Sequence, residues 1–243
     1  MKTLKQIFHR TAQRVADLIT GNGLMQEENA VESDGYITPG MPELIRSMGS
    51  EGIVMLKNEG VLPLKQRESV SVFGRCQNDW FYVGYGSGGD VHPPYRVNLM
   101  EGLENAGVNF DRELAKVYHD WCTHPDNVPD HGWWGHWPYF YEEMPLDEKC
   151  VQTATKKSET ALIVIGRAAG EDRENTLTPG SFYLTDAEKQ MLKLVSRYYR
   201  KTVLLLNCGN IIDMSFIEKY RIAAVLQVWQ LGQESGNAVA DVL

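Results

Sequence analysis

The sequence predicts an α/β fold: a mostly parallel sheet of five to six strands with helices on both faces, called an α/β sandwich. First, short apolar runs alternate with segments of helical periodicity from residue 69 onward, as strands and helices do in parallel sheets. Second, 43% of the 243 residues are hydrophobic, which is enough for a full core. Third, four of the apolar runs reach a glycine within three residues, at Gly74, Gly166, Gly209 and Gly232.

A helical extension and a connector are predicted before this domain. Apolar residues at helical spacing occupy residues 4–20, and the glycines that follow are typical of a helix end. Residues 24–40 are acidic and rich in turn formers. A second helix is predicted from Pro42 to Lys57, although two internal glycines weaken it. We therefore assign residues 1–48 to the N-terminal helical extension and connector, and residues 49–243 to the α/β domain.

Each predicted strand is a short apolar run, and the five runs cover residues 69–73, 108–110, 161–165, 202–206 and 223–229. Helices are predicted at 98–106, at 212–220, and after Thr185, which forms a capping-box pattern with Glu188. A last helical pattern fills 234–243 without a cap. We therefore expect the chain to be a fragment of a longer protein.

The loops that follow the strands are predicted to meet at one edge of the sheet, since the carboxyl ends of parallel strands share an edge. These loops cover residues 74–80, 166–175, 208–210 and 230–235. The second is the strongest candidate for chemistry, because a buried strand ends there in two glycines and a burst of charge that starts at Glu171. The residues alone leave two interpretations of Glu171 open: a catalytic acid or a solvated loop charge.

An aromatic segment covers residues 121–141 and is predicted to be a long ordered loop, because neither helical nor strand periodicity organises it. Its tryptophans could stack on sugar rings, hold the loop in place by burial, or form an interface, and packing or an interface is favoured. His131 and His136 lie in the same segment, but no third ligand is suitably spaced, so no metal site is predicted.

Composition argues against several classes of partner. The formal net charge of −8 and the pI of about 5.3 argue against nucleic acid, whose phosphates attract clustered Lys and Arg. No apolar run is long enough to span a membrane, and no signal-peptide pattern is present. The four cysteines are widely spaced without a CxxC pair, which is typical of a reduced protein and argues against zinc. We expect a soluble, cytoplasmic protein.

Five segments of the chain, taken together and in order, resemble glycoside hydrolase family 3. They are residues 51–64, 71–75, 84–89, 163–171 and 227–243. The first resembles the entry to the family's second, sandwich domain, the third its glycine-serine loop, and the fourth the segment that carries its general acid/base glutamate. The resemblance covers roughly residues 49–243. It implies one domain of a retaining β-glycosidase, of the β-glucosidase or β-xylosidase type, which needs no cofactor.

The resemblance implies that Glu171 is the general acid/base, with Glu174 as the reserve. The candidate substrate-binding residues around it are Arg167, Asp172, Arg173, Ser87 and Trp134. Structural alternatives stay open for two of these assignments: Asp172 and Arg173 could form a surface ion pair, and the loop at Ser87 could be a tight turn without a ligand. The implied substrate is a β-linked glucoside or oligosaccharide.

A retaining glycosidase needs a second carboxyl group, roughly 5–5.5 Å from the first, as its nucleophile. The resemblance implies an aspartate in an Asp-Trp motif on a (β/α)8 barrel. Two such pairs occur here, Asp79-Trp80 and Asp120-Trp121, but neither follows a barrel strand, so neither is predicted to be the nucleophile. We expect the chain to come from the subset of members with the sandwich before the barrel, to lack the barrel, and to be inactive alone.

Two other function classes stay open. The same sheet could be a non-catalytic module that binds a carbohydrate or braces another domain. A dinucleotide-binding domain is less favoured, because no GxGxxG pattern follows the first strand. The oligomeric state is also open, and a homo-oligomer is one of the alternatives.

Overall fold

A single six-stranded sheet organises the computed structural model, which describes residues 37–86, 93–130, 136–171 and 174–243. Its strands are β1 (Val54–Asn58), β2 (Ser69–Phe73), β3 (Asn109–Phe110), β4 (Thr160–Arg167), β5 (Lys201–Cys208) and β6 (Ala224–Gln227). Their order across the sheet is β1-β6-β5-β4-β2-β3. Every neighbouring pair is parallel except β1 with β6. The prediction of a mostly parallel α/β fold is therefore confirmed.

Helices cover both faces of this sheet. The α-helices of the described residues are α1 (Met41–Gly52), α2 (Leu99–Asn105), α3 (Arg112–Thr123), α4 (Glu148–Ala154), α5 (Asp186–Tyr198) and α6 (Ser235–Val242). Side chains of β4 alternate between the two faces: Ile163 and Ile165 pack with α3, α4 and α5, whereas Leu162 and Val164 pack with α2 and α6. Burial on both faces explains why β4 is apolar along most of its length.

The predicted helix from Pro42 to Lys57 is wrong beyond Gly52. Helix α1 ends there, and Val54 begins a strand whose Cα atoms pair antiparallel with β6. The helix itself packs on α6, where a Cβ on Gly49 would lie 2.9 Å from Cβ of Ala238. Gly49 therefore permits a close helix crossing, and the predicted domain boundary between residues 48 and 49 lies inside α1. The helix predicted at residues 4–20 lies outside the described residues.

Two of the predicted helices begin with a capping box. Helix α5 begins after Thr185, and the capping box with Glu188 is formed. Helix α2 has an equivalent box on Asn98, which the sequence analysis did not use. The helix predicted at 212–220 is a shorter 3-10 helix, Ser215–Glu218.

The sequence analysis missed α3 and α4. Helix α3 extends to Thr123, so the segment predicted as a loop from residue 121 begins in a helix. Two signals could have revealed α3: the apolar spacing of Leu114, Tyr118 and Cys122, all buried, and the side chain of Asp111, which caps its first turn. Among the described residues, no helix is both long and apolar enough to cross a membrane.

Candidate active site

The carboxyl ends of β2, β4, β5 and β6 meet at one edge of the sheet, and hydrogen bonds join the loops that follow them. The Asn207 side chain at the end of β5 accepts from the backbone N–H of Phe81 (2.8 Å) and donates to the carbonyl of Trp229 (2.7 Å). Gln230 Nε2 donates to the carbonyl of Arg167 at 3.3 Å. The predicted meeting of these loops is confirmed.

Glu171 lies on this edge, in the loop after β4. The backbone of Tyr85 holds the loop on both sides of Gly170: its N–H donates to the Ala169 carbonyl (2.7 Å), and its carbonyl accepts from the Glu171 N–H (3.0 Å). A Cβ on Gly170 would lie 2.6 Å from the Tyr85 carbonyl oxygen, so only glycine fits. The Glu171 residue itself is exposed, which leaves a carboxyl group on a backbone anchored at the rim of the sheet.

The backbone of Gly86 lies directly against the side chain of Glu171. Its φ is +123°, in a region that L side chains rarely adopt. A Cβ at this position would lie 2.6 Å from Cβ of Glu171 and 3.0 Å from its carboxylate Oε2. The glycine-serine loop therefore makes room for the candidate acid by bringing bare backbone against it. Ser87, the next residue, lies outside the described residues.

Arg167 is fully buried, and its guanidinium is used inside the protein. Nη1 and Nη2 bind the Glu188 carboxylate at 2.6 and 2.7 Å. The remaining donors reach the carbonyls of Ser181 (3.1 Å), Gly166 (2.8 Å) and Tyr183 (3.4 Å). An arginine has five N–H groups, and these contacts use all of them. The predicted substrate contact of Arg167 does not fit this geometry, because no donor is left to reach a sugar.

An aromatic cluster stands beside Glu171. The Tyr85 and Trp137 rings stack at 5.4 Å with 2° between their planes, and the Phe81 and Tyr141 rings stack at 4.6 Å with 18°. The two tyrosine hydroxyls lie 2.9 Å apart. Trp137 is 7% exposed, so this member of the aromatic segment packs the loop rather than offering a face to a sugar. Trp134 lies outside the described residues.

The family model for the glycosyl hydrolase family 3 C-terminal domain matches residues 53–243. The chain belongs to glycosyl hydrolase family 3. A β-glucosidase from Ruminococcus albus is 43% identical over 202 residues, and β-glucosidase A from Butyrivibrio fibrisolvens is 32% identical over 227 residues. Each match covers 83% of this chain but only 21% and 26% of the respective relative. This family 3 chain therefore spans about a quarter or less of the length of the relatives it matches.

Solved structures of family 3 enzymes share its fold. A β-glucosidase from Paenibacillus barengoltzii superposes with a TM-score of 0.82 at 42% identity, over 86% of this chain and 23% of that chain. β-Glucosidase 3B from Thermotoga neapolitana, solved with glucose, gives a TM-score of 0.72 at 36% identity, over 82% and 28%. The expected family and its α/β sandwich domain are thus confirmed.

A buried arginine that the sequence analysis did not single out joins the aromatic segment to this family 3 domain. Arg75, 2% exposed, pairs with Asp79 at 2.7 Å and donates to the carbonyl of Asn127 at 3.0 Å. Its guanidinium lies over the rings of Trp121 (5.0 Å) and Tyr141 (5.6 Å). Residues Arg75 to Gln77 are all buried in a 3-10 helix directly after β2.

Glu143 completes this buried cluster. Its carboxylate accepts the backbone N–H groups of Arg75 (2.9 Å) and Met144 (2.8 Å). Burial raises the pKa of Glu143 to about 7, although the two N–H donors act in the opposite direction. A glutamate just after the aromatic segment has no distinctive sequence signal, which is why this residue was missed.

The other predicted residues of the family 3 chain divide into three groups. Asp172 and Arg173 lie outside the described residues. Glu174 is exposed, and no group of three metal-binding side chains occurs in the part of the chain that the structure describes. Asp79 pairs with Arg75, and Asp120 forms an exposed pair with Lys116 (2.6 Å).

Proposed function

We propose that this chain is the sandwich domain of a retaining β-glycosidase, of the β-glucosidase or β-xylosidase type, and that Glu171 is its general acid/base. The observation that carries the proposal is the placement of Glu171: an exposed residue whose backbone is held by Tyr85 and whose side chain lies against Gly86. The relatives named β-glucosidases support a β-linked glucoside or oligosaccharide as the substrate.

In this proposal Glu171 transfers a proton twice. It first donates a proton to the glycosidic oxygen, so that the aglycone leaves as a neutral alcohol. In the second step it removes a proton from water, which attacks the glycosyl-enzyme. A rim position suits both steps, because the carboxyl group must reach first the leaving group and then the water that replaces it.

The nucleophile in this proposal is a carboxylate of a (β/α)8 barrel in the same protein. Retention requires the two carboxyl groups roughly 5–5.5 Å apart, and the two Asp-Trp pairs of this chain are engaged elsewhere. The rim that carries Glu171 is therefore the surface that faces the barrel. Ser87, Asp172, Arg173 and Trp134 stay candidates for contacts to the substrate.

The test uses the full-length enzyme with Glu171→Ala and, as a matched control, Glu174→Ala on the same loop. We expect Glu171→Ala to lose about 10²- to 10⁴-fold in kcat/KM on glucosides with poor leaving groups, because general acid catalysis contributes that much. Activated aryl glucosides, which need no protonation, should lose far less, and azide should restore turnover by replacing water. The 243-residue chain alone serves as a blank and is expected to be inactive. An unchanged pH profile in Glu171→Ala would remove this residue from the mechanism.

We also propose a cytoplasmic location. All four cysteines are free, and three of them are buried. Free buried thiols are typical of proteins that stay in a reducing compartment. Cell fractionation with an antibody against the chain would test this, and recovery from the culture medium would contradict it.

A further inference from the structure

We infer that Tyr85 and Tyr141 form a positioning pair for Glu171, and that the hydrogen bond between their hydroxyls keeps the carboxyl group in the orientation that proton transfer needs. This inference rests on the proposed acid/base role of Glu171. Neither tyrosine is expected to touch the reacting atoms.

The first step of the argument is the backbone of Tyr85. Its N–H and carbonyl bind Ala169 and Glu171, the two neighbours of Gly170, at 2.7 and 3.0 Å. Gly86, which supports the Glu171 carboxylate, is the next residue along the chain. A displacement of Tyr85 would therefore move both the backbone and the support of Glu171.

The second step is the side chain of Tyr85. Its ring lies parallel to the buried ring of Trp137, which restricts rotation out of the plane of the stack. Its hydroxyl is 2.9 Å from the hydroxyl of Tyr141, which restricts sliding within that plane. Ring stacking alone restrains such in-plane sliding only weakly. The hydrogen bond between the two hydroxyls therefore supplies the directional restraint.

The third step is the anchorage of Tyr141. Its ring stacks on Phe81, and Asn207 on β5 binds both the N–H (2.8 Å) and the carbonyl (2.9 Å) of Phe81. The guanidinium of buried Arg75 also lies over the Tyr141 ring, 5.6 Å from its centroid. The hydroxyl of Tyr141 is thus held by the ends of β2 and β5, and through Tyr85 it ties the Glu171 loop to these rigid elements.

The experiment measures two substrates on each preparation of the full-length enzyme: an aryl β-glucoside with a poor leaving group and one with an activated leaving group. The variants are Tyr85→Phe, Tyr141→Phe and the double variant, all of which keep the rings. The control is Tyr198→Phe, which removes a hydroxyl bonded to Gln152 near the start of β5, at the opposite end of the sheet. The ratio of the two kcat/KM values cancels any loss of folded enzyme.

We expect each single variant to lower the ratio of poor to activated substrate by about tenfold, since small displacements of a catalytic group are costly. The double variant should lose no more than either single variant, because all three lack the same hydrogen bond. The alkaline limb of the pH dependence of kcat/KM should also shift in the Tyr85→Phe and Tyr141→Phe variants. Tyr198→Phe should change neither.

Two results would overturn the inference, and they differ in what they say about Glu171. If Glu171→Ala shows the leaving-group dependence while Tyr85→Phe and Tyr141→Phe behave like Tyr198→Phe, the positioning pair is wrong and the acid/base role stands. If Glu171→Ala lacks that dependence, both proposals fail.

Discussion

Two loops lie at the same edge of the sheet, one after β2 and one after β4. Their sequences are similar in character, but their charged side chains differ in burial. Each follows a buried strand, and each carries both signs of charge. After β4, Glu171 is directed to the exposed rim. After β2, Arg75 is buried and pairs with Asp79, and Glu143 binds the backbone at the same point. The contacts with the aromatic segment differ: its Trp121 and Tyr141 rings lie over the guanidinium of Arg75 after β2, whereas Glu171 after β4 is exposed.

The comparison predicts which charges hold the domain together. We expect Arg75→Met to lower the free energy of unfolding by about 3–5 kcal/mol, because it leaves Asp79 and buried carbonyls without their partner. Urea unfolding of the 243-residue chain measures this. Arg112→Met is the matched control, since its pair with Glu104 is exposed, and its loss should stay within about 1 kcal/mol. Equal losses in the two variants would mean that the cluster around Arg75 does not stabilise the fold.

A substitution at Gly86 should displace Glu171 without changing its carboxyl group. We expect Gly86→Ala to cost roughly 1–3 kcal/mol of stability from its left-handed backbone and to displace Glu171, whose Cβ lies 2.6 Å from the added methyl carbon. Gly60→Ala is the control, because φ at Gly60 is +83° but nothing lies within 4 Å of the added atom. Only Gly86→Ala should lose activity on poor leaving groups in the full-length enzyme. Full activity of a folded Gly86→Ala enzyme would contradict the proposal that Gly86 positions the side chain of Glu171.

Buried Glu143 should make stability depend on pH. Its pKa is raised from 4.5 to about 7, so the folded protein binds this proton more tightly than the unfolded chain does. The contribution of Glu143 to stability is therefore largest at low pH and is lost as the pH rises from 4.5 to about 7, by at most about 1.4 kcal/mol per pH unit. Urea unfolding of Glu143→Gln should show a smaller decline over this range than the unchanged chain. Parallel curves for the two proteins would show that Glu143 does not titrate there.

Much of the candidate site could be predicted because its signals are local. The apolar run of β4, the glycines behind it and the acid at Glu171 are consecutive in the chain. The role of Arg167 could not be predicted, because its partner Glu188 lies 21 residues away. The capping box at Glu188 was visible in the sequence, but its second bond to Arg167 was not. Adjacency to Glu171 made Arg167 a candidate for substrate binding, and burial excluded that role.

The sequence by itself determined the strand and helix alternation, the capped start of α5 and the position of Glu171 after a buried strand, because each depends on residues close together in the chain. Only the tertiary structure decided that Val54–Asn58 is a strand, since its hydrogen-bond partners belong to β6. It also decided that Trp137 packs against Tyr85 and that Arg75 and Arg167 are buried. The physical reason is the same in each case: burial and pairing are set by partners distant in sequence, and local propensity carries no information about them.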